Sequence, residues 1–320
     1  MSDQTLIRSN GSILREGYRR MKAGERVILA TVAETWGSSP RPTGSLMILT
    51  EPGYCMGSVS GGCIEEELIS SIKKEFPKNS LLLEYDAETN RSLPCGGRLS
   101  IILEPLNIVD DLIGLIETLE QGKKVRRIIS ISQNTSIWSS DESLDLGDST
   151  DRVHVISYDA AWRVLIVGFG DLGSCVASFA QMLDYKVSIC EPREEFRKSS
   201  QNSHLSISSA YPDDFIREAE CDLQTAILAL THDPKIDDLA MIQALETEAF
   251  YIGALGSSRT AEKRAQRLVD HFDFDPGIIS RIRAPIGIDL RTRKVNEIAL
   301  AVMTDVTACR NKVEIGTSRN

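Results

Sequence analysis

Short apolar runs alternate with amphipathic stretches through the second half of the chain. Residues 164–167 are consecutive branched apolar residues, a pattern typical of a strand covered on both faces in a parallel sheet. Residues 171–183 place apolar side chains at helical spacing, and residues 186–190 form the next strand-like run. This alternation continues towards residue 308. It predicts an α/β fold whose C-terminal part is a Rossmann-like, doubly wound parallel sheet.

The first half of the chain has a different order of apolar patterns. Helical periodicity is found at 12–22, from about 65 to 76 and at 109–120, and strand-like runs at 26–33, 45–50, 55–59, 81–85, 100–104 and 126–132. Such a mixture predicts an α+β domain. Residues 134–151 are rich in serine and acidic residues and are interpreted as a linker or mobile insertion. We therefore expect two domains, residues 1–155 and residues 156–320.

A glycine motif follows the apolar run at 164–167. Gly168, Gly170 and Gly173 complete G-x-G-x-x-G between a predicted strand and a predicted helix, and Glu191 ends the next strand. In dinucleotide-binding folds these glycines allow the turn, the approach of a pyrophosphate and close helix packing, and the acid binds a ribose hydroxyl. One hypothesis is therefore an oxidoreductase that binds NAD or NADP here, with His232 as proton donor.

Other polar groups follow later strands of the predicted sheet. Thr231-His232-Asp233 comes after one strand, and Gly256-Ser257 with Arg259 opens a helix after another. Parallel sheets bind ligands at the carboxyl ends of their strands. His232 is thus either a ligand-facing or a simply exposed residue, and the Gly256 turn is a candidate phosphate site.

Two cysteines lie beside paired glycines in the first half. Gly61-Gly62-Cys63 is followed by Glu65 at the start of a predicted helix, and Cys95 precedes two further glycines. Backbone N–H groups at such a helix start form a candidate anion site. Each thiol is either a small buried apolar group or a functional nucleophile, sulfur carrier or soft metal ligand.

Composition narrows the function classes. The 320 residues carry a formal net charge of −10, which disfavours nonspecific binding to nucleic acids or anionic membranes. The seven cysteines form no C-x-x-C and the four histidines show no paired spacing, so neither a disulfide framework nor a preformed metal site is expected. No signal-peptide pattern opens the chain and no apolar run reaches membrane-spanning length, so we expect a cytoplasmic protein.

Motifs from both halves together resemble the XdhC/CoxI family of accessory proteins for bacterial xanthine dehydrogenase, aldehyde oxidase and carbon monoxide dehydrogenase. In the first half they are G-S-S-P-R at 37–41, G-G-C-I-E at 61–65 and C-G-G-R at 95–98. In the second half they are G-F-G-D-L-G at 168–173, P-R at 192–193, T-H-D at 231–233, Y-I-G-A-L-G-S at 251–257, A-P-I-G at 284–287 and E-I-A-L at 297–300. Glu191 stands where the family usually has Asp.

The resemblance implies a molybdenum cofactor (molybdopterin) chaperone, more an accessory factor than an enzyme. It implies delivery to an apo molybdenum hydroxylase, with a cysteine desulfurase or a cofactor nucleotidyltransferase as further partners, and a homodimer. Cys63 and Cys95 would lie near the metal or its sulfur. The other residues expected to contact the cofactor are Gly61, Gly62, Glu65, Gly168, Gly170, Gly173, Glu191, Arg193, His232, Gly256, Ser257 and Arg259.

Overall fold

A computed structural model describes residues 10–37, 41–86, 97–106, 109–120, 123–139, 153–158, 162–199 and 205–314. The chain divides into two compact units, a first unit of residues 1–160 and a second unit of residues 161–320. Each unit has its own sheet and its own hydrophobic core.

The described helices are α1 (Asn10–Lys22), α2 (Glu65–Lys74), α3 (Val109–Glu120), α4 (Asp171–Met182), α5 (Glu194–Ser199), α6 (Pro212–Glu218), α7 (Pro234–Leu245), α8 (Ser258–Phe272), α9 (Pro276–Ile279) and α10 (Val295–Arg310). The described strands are β1 (Val27–Trp36), β2 (Leu46–Thr50), β3 (Cys55–Gly57), β4 (Leu81–Tyr85), β5 (Arg98–Pro105), β6 (Val125–Ser130), β7 (Thr135–Ser139), β8 (Val153–Tyr158), β9 (Arg163–Val167), β10 (Lys186–Cys190), β11 (Ile207–Ser208), β12 (Thr225–Ala229), β13 (Tyr251–Ala254) and β14 (Ile282–Arg283).

The first unit is built on an antiparallel sheet of order β3-β2-β1-β5-β4. Apolar residues of α2, including Leu68 and Ile72, cover one face of it. Residues of α1, α3 and a small antiparallel sheet of order β7-β6-β8 contribute to the core on the other face. Both faces of β1 are buried because each is covered by another layer. The predicted α+β first half is confirmed.

The second unit is a parallel sheet of order β11-β10-β9-β12-β13-β14. Val164 and Ile166 of β9 join the core cluster with α4 and α10, whereas Leu165 and Val167 join the cluster with α7 and α8. Side chains of a strand alternate between its two faces, so helices on both faces require a fully apolar central strand. The predicted Rossmann-like, doubly wound sheet is confirmed.

The interpretation of residues 134–151 as a linker is wrong for part of that segment. Thr135–Ser139 form β7, which pairs antiparallel with β6. Trp138 supplies the reason: its ring lies 5.8 Å from the ring of Tyr158 and 4.1 Å from the guanidinium carbon of Arg127. One aromatic side chain on the core face anchors an otherwise polar strand. The remainder, residues 140–151, lies outside the described residues.

None of the helices in the described ranges combines the length and the apolar character needed to cross a bilayer.

Candidate functional site

The described residues of the three first-unit motifs lie beside strand ends at one end of its five-stranded sheet. β1 and β3 end there and β5 begins there, because Trp36 pairs with Arg98 and Gly57 pairs with Met47 at the start of β2. The Arg41 Nε also donates to the Ser58 carbonyl at 3.2 Å, which ties the first motif to the segment that leads into Cys63. Trp36 and Arg98, and Arg41 and Ser58, are therefore neighbours although they lie far apart in sequence.

Glu65 organises the turn that carries Cys63. Its Oε1 accepts from the Ser58 hydroxyl at 2.6 Å and from the amides of Val59 and Ser60 at 3.1 and 3.0 Å. Its Oε2 accepts from the Ser60 hydroxyl and from the amides of Gly62 and Ile64. Burial raises the pKa of Glu65, but the hydrogen bonds from Ser58 and Ser60 outweigh burial and lower it to about 2.

The anion site predicted at Gly61 and Gly62 is therefore already filled by the protein's own carboxylate. The Gly61 amide donates to the Ser58 hydroxyl, and the Cys63 amide donates to the Ser60 hydroxyl. These donors are satisfied within the turn, and the role of Gly61 and Gly62 towards a cofactor stays a prediction. What the turn presents outwards is the exposed free thiol of Cys63.

Two further residues at this end of the sheet were missed by sequence reasoning. Trp36 is 46% exposed at the end of β1, and the Arg98 guanidinium lies 5.7 Å from its ring centroid. The sequence signal for this pair is its position, since Trp36 directly precedes the motif at 37–41 and Arg98 is the last residue of the motif at 95–98. Cys95, the second predicted thiol, lies outside the described residues.

We expect the first unit to lose stability in acid, because protonation of Glu65 weakens the hydrogen bonds that its carboxylate accepts. The pKa of Glu65 in the folded protein, about 2, lies below its ordinary value of 4.5, so the stabilisation is complete above pH 4.5 and is lost as the pH falls towards 2. A pKa difference of this size corresponds to about 3 kcal/mol, which partial exposure reduces to about 2 kcal/mol.

Urea unfolding of the wild type and of Glu65→Gln, at pH 7 and at pH 3, measures this contribution. The variant should be less stable by about 2 kcal/mol at pH 7 and by clearly less at pH 3. Glu66→Gln, at the exposed neighbouring position, is the matched control and should change little at either pH. An equal loss at both pH values for Glu65→Gln contradicts the assignment.

In the second unit, the predicted polar groups lie at the carboxyl ends of β9, β10, β12 and β13. Parallel pairing puts these strand ends at one edge of the sheet. Gly168 contacts the β12 end so closely that an added Cβ would lie 2.8 Å from the Thr231 Cγ2. The Arg193 Nη1 donates to the Thr231 carbonyl at 3.5 Å. Sequence reasoning placed this edge correctly.

The three glycines of the G-x-G-x-x-G turn have different surroundings. A Cβ at Gly173 would lie 2.1 Å from the Gly168 carbonyl oxygen, so the first and third glycines are required by the fold itself. A Cβ at Gly170 meets nothing within 4 Å, and its φ of −91° is open to any residue. Gly170 is the N-cap of α4 and no side chain caps this helix start. The start of α4 is thus left without a side-chain cap.

Glu191 is fully buried at the end of β10. Its Oε2 accepts from the Phe169 amide at 2.9 Å and from the Arg193 Nη2 at 2.8 Å, and its Oε1 accepts from the Arg193 amide and Nε at 3.0 and 2.8 Å. Burial raises the pKa of Glu191, but the hydrogen bonds from Arg193 and Phe169 more than offset burial, so the pKa is lowered. This geometry differs from the expected contact with a ribose hydroxyl.

The remaining predicted residues of this edge divide into helix caps and exposed groups. The Ser257 hydroxyl caps α8 by accepting from the Thr260 amide, and a Cβ at Gly256 would lie 3.0 Å from the Thr260 Cβ. His232 is exposed, with a left-handed φ of 63°. Arg259 is exposed in the first turn of α8. Their roles towards a cofactor stay predictions.

Sequence reasoning also missed a buried ionic network behind this edge. The Thr231 hydroxyl donates to Asp237 Oδ1 at 2.6 Å, and Arg264 lies 3.6 Å from Asp237 Oδ2 and 2.9 Å from Asp238 Oδ1. Burial raises the pKa of Asp237, and the opposing effects of Thr231 and Arg264 do not cancel that rise. The network joins the end of β12 to α8 and fixes the backbone beside His232. In the described parts of the chain, no three His, Cys, Asp or Glu side chains cluster closely enough to hold a metal ion.

Comparison with known proteins matches both units to one family. A model described as the XdhC and CoxI family matches residues 21–86, and a model described as the XdhC Rossmann domain matches residues 164–306. The molybdenum cofactor insertion chaperone PaoD of Escherichia coli is 26% identical over 311 residues, covering 93% of this chain and 88% of PaoD.

Two further proteins from Bacillus species match along most of the chain. A Bacillus subtilis protein described as a probable xanthine dehydrogenase subunit is 22% identical over 322 residues, covering 91% of this chain and 95% of that protein. A crystal structure described as a xanthine dehydrogenase from Bacillus halodurans superposes with a TM-score of 0.76 at 22% identity, covering 96% of this chain and 98% of that one. At this identity the superposition supports the fold alone.

Proposed function

We propose, from the premise that the chain belongs to the XdhC and CoxI family, that it binds the molybdenum cofactor as cargo and hands it to an apo molybdenum hydroxylase. The similarity to PaoD, a molybdenum cofactor insertion chaperone, along most of both chains supports this proposal. In this proposal the protein is an accessory factor that shields the cofactor in the cytoplasm, not an enzyme with its own turnover.

The surroundings of Gly170 are the observation that carries the proposal. The fold explains the glycines at 168 and 173 by close contacts, but nothing in the described protein occupies the space beside Gly170. A side chain there would shield the uncapped amides at the start of α4. The cofactor is a pterin that bears a phosphate, and a helix N-terminus with open amides is a suitable receptor for a phosphate.

Cys63 suits the metal end of the cofactor. Its thiol is exposed on a turn that Glu65 holds in place, and thiolates are soft ligands that suit a sulfur-ligated metal. We assign Cys63 a contact with the molybdenum or with its exchangeable sulfur. Cys95 is assigned the same neighbourhood from its motif, which immediately precedes β5.

The proposed client is an apo enzyme of the xanthine dehydrogenase, aldehyde oxidase or carbon monoxide dehydrogenase type. A cysteine desulfurase would supply sulfur for the bound cofactor, or a cofactor nucleotidyltransferase would supply the cofactor itself. The expected homodimer is tested by light scattering of the purified protein.

Replacement of Gly170 by Ala tests the phosphate receptor. The added methyl group meets no atom within 4 Å, but it would hinder the close approach of a phosphate to the backbone, so cofactor content should fall about tenfold or more while the fold is kept. The measurement is pterin and molybdenum per chain after anaerobic purification from cells that make the cofactor. Wild-type protein should carry near-stoichiometric pterin.

Gly114→Ala is the matched control, because this exposed glycine of α3 also has no atom within 4 Å of an added Cβ. It should retain the cofactor. Cys63→Ser in the same preparation tests the thiol separately: pterin per chain should stay and molybdenum per pterin should fall. Unchanged cofactor content in Gly170→Ala would remove the central support of the proposal.

A further inference from the structure

Glu191 and Arg193 form a closed ionic pair at the end of β10, beside the glycine turn. The side chain of Glu191 is 0% exposed and that of Arg193 is 21% exposed. An ionised carboxylate offers about four lone-pair positions for hydrogen bonds. The Phe169 amide takes one of them, and Arg193 takes three through its amide, Nε and Nη2.

Three residues, Phe196, Thr231 and Arg197, hold Arg193 in this position. Its guanidinium lies 3.9 Å from the ring centroid of Phe196 and donates to the Thr231 carbonyl at 3.5 Å. Arg197 fixes the backbone between the two residues, since its Nη1 donates at 2.7 Å to the carbonyls of both Glu191 and Pro192. The pair is thus anchored to β10, α5 and the end of β12.

In a dinucleotide-binding fold, the acid at the end of this strand receives a ribose hydroxyl. Here a guanidinium already occupies the acceptor positions that a ribose would use. We infer that Arg193 determines which class of ligand binds at this edge of the sheet. The edge accepts a ligand that places a phosphate on the Gly170 turn and that presents no ribose diol to β10. This inference rests on the proposed function, because the phosphate is the group that the Gly170 turn receives.

Calorimetric titration of the full chain with NAD+ and with inorganic pyrophosphate tests this role. Both probes offer a pyrophosphate group to the turn, and only NAD+ carries ribose diols. In the wild type, NAD+ should bind no more than about threefold tighter than pyrophosphate. In Arg193→Ala the freed carboxylate should raise the affinity for NAD+ relative to that for pyrophosphate by about tenfold, as expected for one hydrogen bond to a charged group.

The double variant Glu191→Ala, Arg193→Ala is the control and should lose this gain. Arg193→Lys keeps a positive charge beside the buried carboxylate but donates from a single nitrogen, so it should give a smaller gain in NAD+ affinity relative to pyrophosphate. This variant keeps the test possible if Arg193→Ala fails to fold. Circular dichroism of each variant verifies the fold.

Each outcome tests either the inference about Arg193 or the phosphate receptor of the proposed function. Wild-type protein that binds NAD+ more than about tenfold tighter than pyrophosphate overturns the inference, as does the lack of any gain in both Arg193 variants. A gain that the double variant loses supports it. If the wild type binds no pyrophosphate, the phosphate receptor of the proposed function fails, whereas the Arg193 variants still decide the inference through NAD+ alone.

Discussion

Replacement of Arg127 by Met should lower the free energy of unfolding of the first unit by about 3–5 kcal/mol, the range observed when one partner of a buried ion pair is removed. The side chains of Arg127 and Glu104 are 2% and 4% exposed, and Arg127 Nη2 lies 2.6 Å from Glu104 Oε1. Burial raises the pKa of Glu104 and Arg127 opposes that rise. Without Arg127, the carboxylate between β5 and β6 would lose its charge partner.

The double variant Glu104→Gln, Arg127→Met is the matched control, because it removes both charges. It should recover much of the lost stability, since loss of a complete buried pair costs far less than loss of one member. The measurement is urea unfolding of the full chain, followed by hydrogen exchange of peptides from β5 and β6. A loss below about 1 kcal/mol for the single variant would place this pair in a wetter environment than the structure shows.

Replacement of Gly173 by Ala should destabilise the second unit by about 3 kcal/mol, the upper range for an added methyl group in a packed interior. The new Cβ would lie 2.1 Å from the Gly168 carbonyl oxygen and 3.1 Å from its carbonyl carbon, and both are backbone atoms. Rotation of a side chain cannot relieve such a contact, so α4 would have to move away from β9. Because β9 is one of the two central strands, the displacement would disturb the core on that face.

Hydrogen exchange of peptides from β9 and α4 measures this effect within the full chain. Gly170→Ala is the control at the same turn, and its cost should stay within about 1 kcal/mol, the usual effect of a poorer N-cap residue. Equal losses for the two variants would mean that α4 does not pack against the turn as described. The contrast also separates the two uses of the motif, since Gly173 serves packing and Gly170 serves the proposed ligand.

The arrangement of the second unit could be predicted well from its sequence. A run of branched apolar residues at 164–167, a glycine turn and a periodic helix follow one another, and each is determined by residues within a few positions of itself. Because the connections in such a fold are right-handed and short, the strand ends with their polar groups had to meet at one edge. The convergence of Gly168, Glu191 and Thr231 follows from this rule.

The parts that were missed are short or depend on distant partners. Helices α5, α6 and α9 have six, seven and four residues, too few for apolar periodicity to appear. Strand β7 is held by Trp138, whose ring packs against Arg127 on the adjacent strand β6 and against Tyr158 on β8. A sequence pattern carries no information about which side chain lies across a strand pair.

The sequence by itself determined the two folds, the family and the positions of the glycine and cysteine motifs, because local periodicity and turn chemistry govern these features. Only the tertiary structure decided what the charged groups of those motifs do. Glu65 and Glu191 both looked like groups that would face a ligand, and both accept hydrogen bonds from their own turns. A carboxylate satisfies backbone amides as well as a bound phosphate does, so only the contacts distinguish these internally satisfied turns from the turn at Gly170, the proposed phosphate receptor.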